Sequence, residues 1–466
     1  MTTVEQARLD NLRTAVSGQV AQRGEPGYDD AVAIWNGSIE RRPSIAVRCL
    51  NTRDVVEAVR YARENNLEIS VRGGGHSFAG HSLTEGGLMV DLSQMKAVVV
   101  DPQAQRAKAE PGVKWGEFDA ATQEHGLAVP GGMISHTGIA GLTLGGGIGW
   151  LCTIAGLTCD NLVGAELVTA SGEVLQVSED NEQEVLWGLR GGGGNFGIVT
   201  SFEYQLHSVG PLVNFGFFYW RPERGTEVLK HIREVIPTLP ANTAAFIAGT
   251  NAPKADFVPK ELQDKPGWIL ALVGFGDEEE LRDVVEPIRS AIPADSEVIE
   301  QLPYTALQGM FDHTAPWGGL AYEKAAHFDE LTDEVIAVMV ERQPLKSAHL
   351  SFTPILVAGG AYRDVPEASA AFSGSREMRY VINITAVCET KEEFDADRTW
   401  VRDYWTALQP YAVGNGSYIN FMSEVDVNRV EAAYGPEKYP RLTALKSRLD
   451  PDNAFHLNAN IPPATS

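Results

Sequence analysis

The residues in this sequence that could do chemistry gather around glycine. Val71-Arg-Gly-Gly-Gly-His-Ser77 sets three glycines at the end of an apolar, β-branched run. Glycines there let successive backbone N–H groups converge on an anion such as a phosphate, although the same triplet suits a tight turn that needs positive φ. A second block, Pro130 to Trp150, lies in a stretch from His125 to Thr158 with ten glycines and no Asp, Glu, Lys or Arg among 34 residues. Glycine costs about 0.5–1 kcal/mol in regular structure. That density points to a bulky, uncharged, planar ligand lying against bare backbone, as a dinucleotide would. A membrane span needs ~20 predominantly apolar, helix-compatible residues, which this glycine-broken stretch does not offer.

Other chemistries are disfavoured. Gly192-x-Gly194-x-x-Gly197 matches the dinucleotide fingerprint literally, but a helix is expected before it and a strand after it, the reverse of Rossmann order. His76 and His81 stand five apart, outside any helix and without a carboxylate partner, so no metal centre is expected. No G-x-S-x-G elbow is present for a hydrolase, and no P-loop for a nucleotide phosphate. Asp plus Glu is 62 against 38 Lys plus Arg, a net charge of −24, which argues against nucleic acid and anionic membranes as partners. Cys49, Cys152, Cys159 and Cys388 form no C-x-x-C pair, and the N-terminus lacks a basic, then apolar, leader. A reducing, cytoplasmic setting is expected.

The elements that must position these residues change character along the chain. Before residue 210, short strands alternate with helices. Helices are expected at 4–17, 52–67 (capped by Thr52), 115–125 and 181–189, and strands at 45–49, 68–72, 88–92, 97–101, 106–110 and 197–206. A hairpin is expected around Ser171-Gly172. Beyond 210, the aromatic run Phe215–Trp220 and strands near 243–250, 268–275, 349–357 and 379–388 alternate with helices at 224–236, 278–291, 329–341 and 391–408. That pattern reads as an antiparallel sheet backed by helices, with an α+β fold overall. Half of an alternating strand must face away from any pocket, so sheet core is the default for Phe215, Phe217, Phe218, Tyr219 and Trp220.

Together, R-G-G-G-H-S at 72–77, G-x-x-x-H-T-G-x-A-G at 132–141, G-L-T-x-D-N at 156–161, G-G-G-G-N-F-G-I-V-T at 191–200, Y-I-N-F at 418–421 and L-N-A-N-I at 457–461 resemble the berberine-bridge-enzyme-like FAD-linked oxidases. That family lies within the vanillyl-alcohol-oxidase group, and the likeness runs in order from about 35 to 463, nearest the bacterial 6-hydroxynicotine-oxidase-like branch. It implies a two-subdomain PCMH-type FAD-binding domain over 1–210, a substrate domain over 211–415, and a C-terminal segment, 416–466, returning to the FAD domain.

The resemblance also implies roles. His76 bonds covalently to the flavin 8α carbon, while Arg72, Gly73, Gly74, Gly75 and Ser77 surround the pyrophosphate. His136, Thr137, Gly138 and Gly141 run along the flavin and its diphosphate, and Val199 meets the adenine side. Tyr418 and Asn420 reach the isoalloxazine, and Asn458 or Asn460 caps its pyrimidine end. Many members add a second link from cysteine. Ile134 occupies that position here, so a single 8α-histidyl link is expected.

The implied reaction takes hydride from a C–H beside O or N of a small or medium molecule to the flavin, with O2 reoxidising it to give H2O2. Tyr418 is the best candidate for the base that takes the accompanying proton, with a buried structural tyrosine as the alternative; a free phenol near pKa ~10 needs a partner to serve at neutral pH. Asn161 reads as a structural turn residue; Glu323, Lys324 and His327 in the substrate domain are weaker candidates for the base, with a solvated helix or strand face as the favoured reading of each. Two other functions stay open: a dehydrogenase with another electron acceptor, and a non-catalytic FAD-bearing drug-binding or resistance protein.

Overall fold

The computed structural model describes residues 3–414, 418–424 and 427–464. Three sheets organise the fold. The first is four-stranded, in the order Gln19–Gln22, Ile45–Arg48, Leu88–Asp91, Ile69–Arg72, with an antiparallel first pair and parallel partners after it. Parallel strands need a crossover, and the helix Thr52–Glu64 supplies one, burying Val55, Val56, Ala58, Val59 and Ala62. Its cap is Asn51, whose side chain accepts from the Asp54 N–H, rather than Thr52. The Thr52 hydroxyl is spent on Glu166 instead, at 2.5 Å.

The second sheet is five-stranded and antiparallel, in the order Val98–Asp101, Arg106–Ala109, Ile198–Gln205, Leu162–Val168, Val174–Ser178. The hairpin around Ser171-Gly172 is its edge, and Gly172 has φ +81°. The helix Gln183–Leu189 precedes the four-glycine run and the strand Ile198–Gln205 follows it, opposite to a Rossmann turn.

The third sheet has seven antiparallel strands, all between Leu212 and Cys388. Its order is Ser296–Pro303, Leu212–Trp220, Pro266–Gly274, Thr243–Asn251, Thr353–Val357, Tyr380–Cys388, Leu320–Phe328. Phe218 and Trp220 pack into a core shared with the helices Gly225–Val235, Glu278–Ala291, Asp333–Arg342 and Lys391–Leu408. Phe215, Phe217 and Tyr219 alternate to the opposite face and a second core. All five aromatics are sheet core, as the period of two demands. The strands Ser296–Pro303 and Leu320–Phe328 are the two edges, and both were missed from sequence because polar residues interrupt their apolar runs.

After Tyr418 a short turn leads to the helical stretch Val427–Leu449, broken at Gly435 where φ is +72°. No helix among the described residues is long and apolar enough to cross a membrane.

Candidate active site

One cavity of about 430 Å³ runs between the first two sheets and the inner face of the third. Its floor is the glycine-rich backbone. At the end of the strand Ile69–Arg72, Gly73 to Ser77 cross the loop at Gly138 so closely that a Cβ on Gly74 would collide with the Gly138 backbone. This approach, rather than a turn alone, is why glycine is required there. Gly73, Gly74, Gly75, His76, Ser77, Thr137, Gly138 and Gly141 all line the cavity, as do Val199, Tyr418, Asn420 and Asn458.

Three expected cofactor contacts fall outside that lining. Arg72 is turned beneath the loop, where Nη1 pairs with buried Asp91 at 2.9 Å, so it braces the strand end. His136 stands behind His76, with ring centroids 5.1 Å apart, and faces Trp317. Asn460 lies outside the lining that Asn458 and Ala459 join, although its Oδ1, like that of Asn458, is buried without a partner among the described residues. Asn161 is structural as read: its amide donates to the Ala155 and Leu157 carbonyls at 2.8 Å each, and its oxygen meets His207 Nε2. Not all the glycine serves the cavity either. A Cβ on Gly131 would strike the Trp115 indole, so part of the density is protein packing.

His76 is held by stacking on Trp35, at 4.4 Å and 11° between planes, and Trp35 is fixed by its Nε1 donating to the Ala315 carbonyl. Burial, and then the neighbouring His136, push the His76 pKa down to about 3. The ring is therefore neutral near pH 7, and its buried Nε2 has no partner among the described residues. A neutral imidazole keeps the lone pair that bond formation to a flavin carbon requires. Buried Asn458 Oδ1 is likewise unpartnered. A cradle of bare glycine backbone, with buried polar atoms that have no protein partner among the described residues, fits FAD.

The tail segment that carries Asn458 is clamped in place. Fully buried Lys446 pairs with Asp450 at 2.6 Å and donates to the carbonyls of Asn195 and Phe455. Asn195 in turn bridges Ala459 and Ile461, which ties the tail to the four-glycine run.

Tyr418 presents a different picture from the expected base. Its hydroxyl oxygen accepts from the Gly147 N–H and from Asn420 Nδ2, both at 2.7 Å. These donors favour a phenolate, but burial is the larger influence and raises its pKa. The phenol therefore stays protonated at neutral pH.

The third sheet supplies the opposite wall, and there Glu323 is no solvated residue. It is 1% exposed, lines the cavity from the strand Leu320–Phe328, and accepts from Asn383 Nδ2 through Oε2 at 2.7 Å. Burial raises its pKa to about 8 despite that bond. Asn36 fixes the strand two residues away, exchanging hydrogen bonds with the Ala321 N–H and carbonyl. His327 is buried too, at 5% exposure, and Lys324 leaves on the other face to pair with Glu424. The signal for Glu323 lay in the sequence as one acid at an inward position of an otherwise apolar alternation, Ala321-Tyr-Glu-Lys-Ala-Ala-His327. Asn383, Phe352 and Phe246 join it on the wall. All four cysteines are free and buried, and none lines the cavity.

Comparison with known proteins defines the class. Residues 43–178 match an FAD binding domain, and residues 417–462 match the berberine and berberine-like segment. An FAD-linked oxidoreductase of Dictyostelium discoideum is 31% identical over 96% of this chain and 95% of its own. (R)-6-hydroxynicotine oxidase of Paenarthrobacter nicotinovorans is 30% identical over 97% of this chain and 98% of its own. The crystal structure of 6-hydroxy-D-nicotine oxidase from Arthrobacter nicotinovorans superposes with a TM-score of 0.86 at 26% identity, covering 96% of this chain and 98% of that one. Glucooligosaccharide oxidase from Acremonium strictum, whose FAD carries 6-S-cysteinyl and 8α-N1-histidyl links, shares the fold with a TM-score of 0.86 at 20% identity, covering 98% and 100%. This chain belongs to the berberine-bridge-enzyme-like family of FAD-linked oxidoreductases, and its fold is of the PCMH type.

Proposed function

We propose that this enzyme is an oxidase that removes hydride from a C–H bond beside oxygen or nitrogen in a small or medium organic molecule, with O2 as the final acceptor and H2O2 as the by-product. The observation that carries the reading is a single cavity joining the glycine cradle to a wall that bears one acid. When bound, FAD supplies the hydride acceptor. Gly73, Gly74, Gly75 and Ser77 would hold its diphosphate through backbone N–H groups. Thr137, Gly138 and Gly141 would serve the flavin, Val199 the adenine side, and Asn458 the pyrimidine end. His76 would carry the one 8α link; with Ile134 at the second position and no cysteine in the lining, no second link is expected. The division into 1–210, 211–415 and 416–466 follows the same reading, and a reducing cytoplasm suits four free thiols.

The accompanying proton goes to Glu323 Oε1 rather than to Tyr418. A general base works best with a pKa near the working pH, and a carboxyl near 8 meets that condition where a raised phenol does not. Tyr418, its oxygen held by Gly147 and Asn420, shapes the seam beside the substrate and takes no proton from it.

Acid-precipitated protein should stay yellow, and candidate substrates should bleach the flavin without air and restore its colour with air. Bleaching without recovery in air would identify a dehydrogenase. No bleaching across a broad panel would favour a ligand-sequestering protein.

A further inference from the structure

The wall opposite the glycine cradle has a donor–acceptor imbalance. On the strand Leu320–Phe328, Glu323 pairs across to Thr385, and Thr385 pairs across to Phe352, so the three stand in a row. Asn383, two residues along from Thr385, spends one N–H on Glu323 Oε2. What remains is two buried oxygens, Glu323 Oε1 and Asn383 Oδ1, with no hydrogen-bond partner among the described residues. Both accept; neither donates when the carboxyl is ionised. Leaving such atoms unpaired in a dry site is costly, so they mark the place of an N–H- or O–H-bearing ligand.

The surroundings choose between these. Among the described residues, no lysine, arginine or aspartate lines the cavity, so the protein offers Glu323 no counter-charge there. His76 and His81, the other ionisable lining groups besides Tyr418, are held neutral near pH 7, at about 3 and about 4. Apart from the Thr385 hydroxyl, the rest of the nearby wall is aromatic or aliphatic. Phe246 and Phe311 sit 5.0 Å apart between centroids, Phe352 is next in the row, and aromatic faces attract cations. An alcohol brings one O–H donor and no charge. A protonated primary or secondary amine brings at least two N–H donors and the missing positive charge.

We propose that the cavity takes an organic ammonium ion, the protonated form of a primary or secondary amine, with its N–H groups on Glu323 Oε1 and Asn383 Oδ1 and its carbons against the phenylalanine wall. This rests on the oxidase reading and narrows its "oxygen or nitrogen" to nitrogen.

The test is equilibrium binding to the flavin-loaded protein by isothermal titration at about pH 8.5, where Glu323, its pKa raised to about 8, is largely ionised before the ligand arrives. The probes are N-methylbenzylammonium chloride and its neutral isostere, benzyl methyl ether. A charge-assisted pair predicts that the ammonium binds more tightly by ~10-fold or more. Glu323→Gln should erase that preference, and Asn383→Leu should reduce it, with flavin content and melting temperature near those of the parent. Equal affinity for the two probes, no binding of either, or a preference that survives Glu323→Gln would each overturn the proposal. Dithionite reduction followed by air is run on the same samples. Failure to reoxidise while the ammonium still binds removes the oxidase reading alone; normal reoxidation without ammonium preference removes the amine site alone.

Discussion

The two walls of the cavity are built by opposite means. The cofactor wall is backbone: Gly73–Ser77 and Thr137–Gly141 come close because side chains are missing, as the collision between Gly74 and Gly138 shows. The sheet wall is side chain: Glu323 and Asn383 project from two paired strands, and Phe352, just before the strand Thr353–Val357, bridges to Thr385 beside them. The first wall admits few sequences, since a single Cβ closes it. The second keeps its shape whatever residues project from it, and so is free to vary with the substrate. One wall fixes what the enzyme carries, the other what it acts on.

Breaking each wall should give separable defects. The largest is at the cofactor wall. His76→Ala should abolish covalent flavin, so that acid-precipitated protein is colourless while the supernatant is yellow. Changing all four cysteines to serine should leave the flavin on the protein. Next comes the sheet wall. Glu323→Gln should slow flavin reduction by ~10²–10⁴-fold, about 3–5 kcal/mol of barrier, with flavin content unchanged in stopped-flow samples. In the parent, reduction should rise with pH through an apparent pKa near 8, and this dependence should vanish in the variant. Tyr418→Phe, at the seam between the walls, should slow reduction less than ~10-fold. It strands the Gly147 and Asn420 donors, so thermal or urea unfolding should show a loss of about 1–3 kcal/mol. A slowing of ~10³-fold in that variant, with Glu323→Gln near normal, would return the base role to Tyr418.

The smallest effect concerns stability against pH. Two buried carboxyls have raised folded-state pKa values, Glu323 from 4.5 to about 8 and Asp119 from 3.8 to about 7, both mainly through burial. A raised carboxyl stabilises the fold fully below its unfolded value and loses that contribution as pH climbs through the folded one. Melting temperature should therefore fall between pH 5 and 8. Glu323→Gln and Asp119→Asn should each flatten that decline.

What was legible in the sequence follows the same division. Backbone constraints are local, so the glycine runs, His76 and the strand–helix alternation could be read in order along the chain. The limits appear where a side chain's role depends on distant partners. Arg72 belongs to the motif but is claimed by Asp91, and His136 lies against His76, its ring tilted by 39°, outside the cavity lining. Sequence alone favours a solvated face for Glu323, because its burial depends on Asn36, Asn383 and Thr385, which are distant in sequence. The donors to Tyr418 are the Gly147 N–H, far away in sequence, and Asn420 within the same motif, and burial outweighs both.

The tail clamp sets a timetable for the enzyme's manufacture. Lys446, Asp450 and Asn195 bring Asn458 to the cavity, and the Leu320–Phe328 strand and Tyr418 also follow the glycine runs in the chain. Until the tail is made, the glycine wall lacks core residues such as Leu442, Phe455 and Ile461 and has nothing to face it. Flavin captured at that stage would be gripped from a single side and exposed to solvent on the other. Enclosure of the cofactor is therefore one of the last acts of folding, and the concentration of free FAD that matters is the one met by the completed chain.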